Sequence, residues 1–101
     1  MSNMLSIELT TFTQRGSDEK RLGFVVEDDY YSYYYRSYCA TWEEFKKSFP
    51  TKESLFWAAV ECEGLSDYLR YVHFENGEPV VEDEDAPIST VCFRGCEGLY
   101  D

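Results

Sequence analysis

Residues 41 to 64 carry two helix starts and two helix stops, and they divide the chain into a helical block between two β-patterned stretches. Thr41-Trp42-Glu43-Glu44 has the form of a capping box, in which the threonine hydroxyl takes an orphan backbone N–H and the glutamate reaches back. Trp42, Phe45 and Phe49 recur at helical spacing, and Pro50 ends the run because it disfavours the helical conformation at the residue before it. Thr51 caps a second helix with Glu53 in its first turn and Leu55, Phe56, Ala59, Val60 and Cys62 as a broad apolar face. Gly64 suits the left-handed position that closes such a helix.

On either side the period changes from helical to alternating. Leu5, Ile7 and Leu9 alternate with Ser6, Glu8 and Thr10, the pattern of a strand with one buried face, and Thr11-Phe12-Thr13 continues it. The polar segment from Gln14 to Glu19 contains Gly16 and precedes a second alternation of Leu22, Phe24 and Val26, so the two runs form a hairpin. Downstream, Tyr68 to Glu75 is rich in aromatic and β-branched residues. Asn76-Gly77 before Glu78-Pro79-Val80-Val81 is a strong hairpin signal, because both turn positions need positive φ. Ile88 to Arg94 reads as a last strand, with Pro87 before it and Gly95 and Gly98 after it. The expected fold is α+β: one small domain over residues 1–101, with an antiparallel sheet of about four to six strands packed by two short helices in the order β-β-β-α-α-β-β-β.

The remaining stretch is unusual. Glu27-Asp28-Asp29 opens it with three carboxylates, and six of the nine tyrosines follow between Tyr30 and Tyr38. A reversal at Asp28-Asp29 returns the chain as a third strand, with Tyr31, Tyr33 and Tyr35 on one face and Tyr30, Ser32, Tyr34 and Arg36 on the other. Both faces carry aromatics, so one of them meets something other than plain water or the protein's own core. Tyrosine offers large, rigid area with a polar tip and little conformational entropy to lose, which suits recognition surfaces. Base stacking is the rival use, but single-strand binders line their grooves with cations, and here Arg36 alone stands beside the three acids. Arginine or lysine of a partner fits better, because carboxylates and aromatic faces both attract it.

Charge points the same way. The formal net charge is −11, divided as −2 over residues 1–50 and −9 over residues 51–101. Such a field repels nucleic acid and anionic membranes alike. Glu82-Asp83-Glu84-Asp85 is its densest part, and carboxylates two residues apart on a strand recur at about 6.6 Å, the same few-ångström regime as phosphates along DNA. In size and charge alone, the chain is similar to the small acidic proteins that viruses use against restriction or CRISPR machinery.

Catalysis finds less support. The single histidine, His73, lies in a strand pattern, and no nucleophile elbow, phosphate loop or dinucleotide fingerprint is present. Cys92 and Cys96 stand at the loose end of zinc-ligand spacing, and Glu82 to Asp85 lacks the EF-hand pattern, so no metal or other cofactor is expected. With no membrane-length apolar run and no signal-peptide pattern at Met1 to Ser6, a cytoplasmic location is expected, with the four cysteines mostly as thiols.

The leading expectation is a non-enzymatic binding protein that engages a basic surface on a nucleic-acid-handling protein and inhibits it by occupying the site. Asp28, Asp29, Tyr31, Tyr33 and Tyr35, together with Glu82, Asp83, Glu84 and Asp85, are its candidate contacts. Direct binding to nucleic acid or membrane is not expected. A second reading is an assembly module that dimerises through the tyrosine-rich strand as a sheet edge, and a third is a small cysteine- or metal-dependent enzyme using Cys92 or Cys96 with His73.

Overall fold

The computed structural model describes residues 4–13, 16, 18–29, 31–64, 69, 71–82, 88–95 and 98–100. The elements follow the expected order: β1 (Met4–Thr13), β2 (Lys20–Glu27), β3 (Ser32–Arg36), α1 (Trp42–Ser48), α2 (Lys52–Glu63), β4 (Val72–Glu75), β5 (Glu78–Val81) and β6 (Thr90–Arg94).

The strands divide into two sheets, a four-stranded one in the order β3-β2-β1-β6 and the β4-β5 hairpin. Pairing is antiparallel for β1-β2, β2-β3 and β4-β5, but β6 runs parallel to β1, placing Val91 beside Leu5 and Phe93 beside Ile7. The main sheet is therefore mixed within the expected α+β class. Asn76 (φ 53°) and Gly77 (φ 80°) take the two positive-φ positions of the β4-β5 turn.

Both helices start where their caps dictate. The Thr41 hydroxyl accepts the Glu44 N–H at 3.2 Å, while Glu44 reaches one residue beyond the cap to accept the Ala40 N–H. At α2 the box is reciprocal: Ser54 N–H donates to Thr51 Oγ1 at 3.0 Å, and Thr51 N–H donates to Ser54 Oγ at 3.1 Å. Gly64 closes α2 in the left-handed conformation.

The alternation of β1 and β2 sends Leu5, Ile7, Leu9, Leu22, Phe24 and Val26 to one face, where they are buried with Phe45 of α1 and Leu55, Phe56, Ala59 and Val60 of α2. Each fully buried large apolar side chain contributes about 1.5–3 kcal/mol. α2 touches β2 and β3 on one side and β5 on the other, and Phe56 meets Phe74 of the small hairpin edge-on at 5.3 Å. A helix in the middle layer needs apolar residues on opposite flanks, which accounts for the breadth of the α2 apolar face.

On the opposite face of the main sheet, Gly23 is buried, and a Cβ there would lie 2.0 Å from the Tyr35 carbonyl oxygen and 2.8 Å from the Phe12 ring. Glycine is required by this close approach of β3 to β2, with Phe12 lying over the gap.

Candidate functional site

The tyrosine strip forms an edge of the main sheet and the tip of the β2-β3 hairpin. Asp28 builds that tip: its backbone N–H donates to the Tyr31 carbonyl at 2.9 Å, and its carboxylate accepts the Tyr31 N–H at 2.6 Å. Side-chain acceptance of this kind is why aspartate favours turns. Asp29 follows it and is exposed.

Register assigns the tyrosines to faces as the alternation requires. Tyr33 and Tyr35 lie opposite Val26 and Phe24 on the helix side, whereas Ser32, Tyr34 and Arg36 lie opposite Glu27, Val25 and Gly23 on the other. Tyr35 is half-buried: its ring stacks on Phe24 at 4.7 Å and meets Phe49 edge-on at 6.1 Å. Burial raises its phenol pKa, with Cys62 and Cys39 nearby adding to the effect. The other described tyrosines of the strip are exposed, Tyr31 at 72%, Tyr33 at 42%, Tyr34 at 63% and Tyr38 at 97%. Among the described residues, the core uses one ring of the strip and leaves four at the surface.

The helix-free face around Tyr34 differs from the rest of the molecule in charge. Register places Glu8 and Glu27 on it with Arg21, Arg36 and Arg94, and Glu19 pairs with Arg21 at 2.8 Å, so cations and acids are balanced there in a chain of net charge −11. Phe12 meets Tyr34 edge-on at 6.4 Å, and the Arg36 guanidinium lies 5.8 Å from the Phe12 ring centre. Phe12, Arg21 and Arg94 of this face are not among the contacts expected from the sequence. Strand alternation carries the signal for the first two, but Arg94 joins the face only through the β1-β6 pairing.

The second group of expected contacts begins at Glu82, in the segment after β5, while Asp83, Glu84 and Asp85 lie outside the described residues. Glu82 is exposed, with its carboxylate 3.1 Å from His73 Nδ1. His73 Nε2 lies 3.0 Å from the Glu75 carboxylate. The hydrogen bond to Glu75 is the largest cause of a raised His73 pKa; Glu82 adds to it and burial opposes it. Lys52 pairs with Glu78 at 2.6 Å. Apart from half-buried Asp28, the acids whose side chains are described are all exposed.

Two surface hollows lie elsewhere, one lined by Trp42, Gly95, Gly98 and Leu99 and the other by Lys46, Pro50, Thr51, Lys52, Gly77 and Tyr100. Among the described residues no group of three or more His, Cys, Asp or Glu is placed to hold a metal ion. Cys92 Sγ lies 3.4 Å from Met4 Sδ, and Cys96 is outside the described residues. No helix among the described residues is long and apolar enough to cross a membrane.

No family model, curated protein or solved structure matches the chain.

Proposed function

We propose that this chain is a non-enzymatic acidic binding protein that covers a basic surface of a nucleic-acid-handling protein and inhibits it by occupying the site. The observation that carries this reading is the surplus of exposed tyrosine beside exposed carboxylate at one hairpin tip, Asp29 and Tyr31 above all. Exposed aromatic rings cost a protein solubility unless they are used, and rings next to acids form a receptor for arginine and lysine. Asp29, Tyr31 and Tyr33 are assigned as contacts. Asp28 and Tyr35 position them from the turn and from the core. Glu82, Asp83, Glu84 and Asp85 supply the longer-range field that steers a cationic partner.

The test is capture from cell lysate followed by competition with DNA. A captured protein is expected to release the chain as salt is raised from about 50 mM to about 500 mM, because screening shortens the reach of exposed charges. DNA and the chain are expected to exclude each other on that protein. Replacing Glu82 to Asp85 with lysines is expected to weaken the complex by at least about ten-fold. Salt-insensitive capture, a ternary complex with DNA, or full binding by the charge-reversed variant would each count against mimicry of nucleic acid.

A further inference from the structure

We infer that β3 is a self-pairing edge, and that two copies of this chain join through it in an antiparallel register centred on Tyr34. The inference does not depend on the basic partner proposed above.

The main-chain hydrogen bonds define the open side of β3. Ser37 N–H donates to the Leu22 carbonyl at 2.9 Å and Asp28 N–H to the Tyr31 carbonyl at 2.9 Å, at the two ends of the β2-β3 register. Antiparallel ladders alternate between bonded and non-bonded pairs, so Phe24/Tyr35 and Val26/Tyr33 are the bonded pairs between these ends. The N–H and C=O groups of Ser32, Tyr34 and Arg36 therefore point away from β2. β3 is the last strand on that side of the sheet, and no described strand pairs with this row.

Monomeric proteins protect such a row with proline, a bulge, lysine or an inward-facing charge. Ser32-Tyr33-Tyr34-Tyr35-Arg36 contains neither proline nor lysine, its register with β2 is unbroken, and its one charge ends the strand on the helix-free face. Tyrosine has high strand propensity, and aromatic pairs stabilise facing strands.

The second occupant is a copy of this chain because the row is complementary to itself. An antiparallel copy centred on Tyr34 sets Tyr34 opposite Tyr34 and Ser32 opposite Arg36 in both directions. The three outward-facing residues of each copy then all fall in bonded positions, giving a continuous sheet ordered β6-β1-β2-β3-β3-β2-β1-β6. Charge complements the register. On the helix-free face, Arg36 of the second copy lies beside Ser32, whose hydroxyl donates to Glu27 at 3.3 Å on the next strand. Two strand spacings separate Arg36 of the second copy from Glu27, about 10 Å, which the two long side chains close above the small serine. To do so Arg36 gives up the Phe12 ring, an exposed contact that holds it weakly. The twofold axis makes this ion pair twice.

Self-pairing is tested on the isolated full chain by sedimentation equilibrium from about 1 µM to about 1 mM, the range in which small interfaces dissociate. The expected result is a concentration-dependent rise from the 11.9 kDa monomer to twice that mass. Tyr34→Pro removes an outward-facing N–H and no β2-β3 bond, so it is expected to abolish dimerisation with the far-ultraviolet circular dichroism retained. Arg36→Glu and Glu27→Arg are each expected to weaken the dimer roughly five-fold, and the two together to restore it. The charge pair keeps the test decisive if Tyr34→Pro fails to fold. A chain that stays monomeric throughout, dimerisation untouched by these single changes, or a double variant no better than either single one would overturn the proposed pairing.

Discussion

Tyr35 and Tyr31 belong to the same strip, yet one stacks on Phe24 at 4.7 Å and the other is 72% exposed at the hairpin tip. The difference predicts opposite results for one substitution. Tyr35→Ala is expected to cost about 3 kcal/mol in urea denaturation, because it opens a gap beside Phe24 and Phe49. Tyr31→Ala and Tyr38→Ala are expected to stay within about 0.5 kcal/mol of the parent chain. Equal losses at all three positions would mean that the exposed rings also support the fold. Alternation alone places Tyr33 and Tyr35 on one face and Tyr34 on the other, so that much was legible from residue order. Which of the two is covered was not legible, because α1 and α2 decide it and their placement is a tertiary fact. Asp28 was legible as a turn residue, but its capture of the Tyr31 N–H makes it part of the turn before it can be a contact.

The elements divide by whether their causes are local. Caps, Pro50, Gly64 and Asn76-Gly77 act within a few residues, and the two helices and the small hairpin stand where those signals place them. The parallel β1-β6 pair joins strands far apart in the chain, and no nearby residue announces it. Arg94 therefore reaches the helix-free face by a route that composition and periodicity do not reveal. The β4-β5 hairpin also carries a pH response. Glu75, first, and Glu82 raise the pKa of His73 above its ordinary value of 6.5. A raised folded-state pKa means that the protonated imidazole stabilises the native hairpin fully below pH 6.5, and that this contribution is lost as pH rises through the folded value. Hydrogen exchange of the β4-β5 amides is expected to show hairpin opening becoming easier across that window, once corrected for the intrinsic pH dependence of exchange. His73→Gln is expected to remove the response. A parent chain whose corrected opening does not change between about pH 6 and about pH 8 would separate His73 from hairpin stability.

At the scale of the whole molecule, the same carboxylates are expected to give salt responses of opposite sign. The described acids lie almost entirely at the surface, and the molecule measures 45 × 29 × 19 Å. At about 10 mM salt the screening length is about 30 Å, so carboxylates across most of the molecule repel one another; at about 150 mM it is about 8 Å and near neighbours dominate. Lys52 and His73 offset this repulsion locally around Glu75, Glu78 and Glu82, as Arg21 does for Glu19. Net charge far from zero destabilises the compact state through self-repulsion. The melting temperature of the isolated chain is therefore expected to rise between about 10 mM and about 150 mM salt, whereas a complex with a basic partner weakens over the same range. Substituting lysines for Glu82 to Asp85 lowers the net negative charge, and should flatten the rise in melting temperature while weakening the complex. A melting temperature that falls with salt would mean that the acids are held in attractive pairs, and a field spent on the protein's own cations would not be available to a partner's.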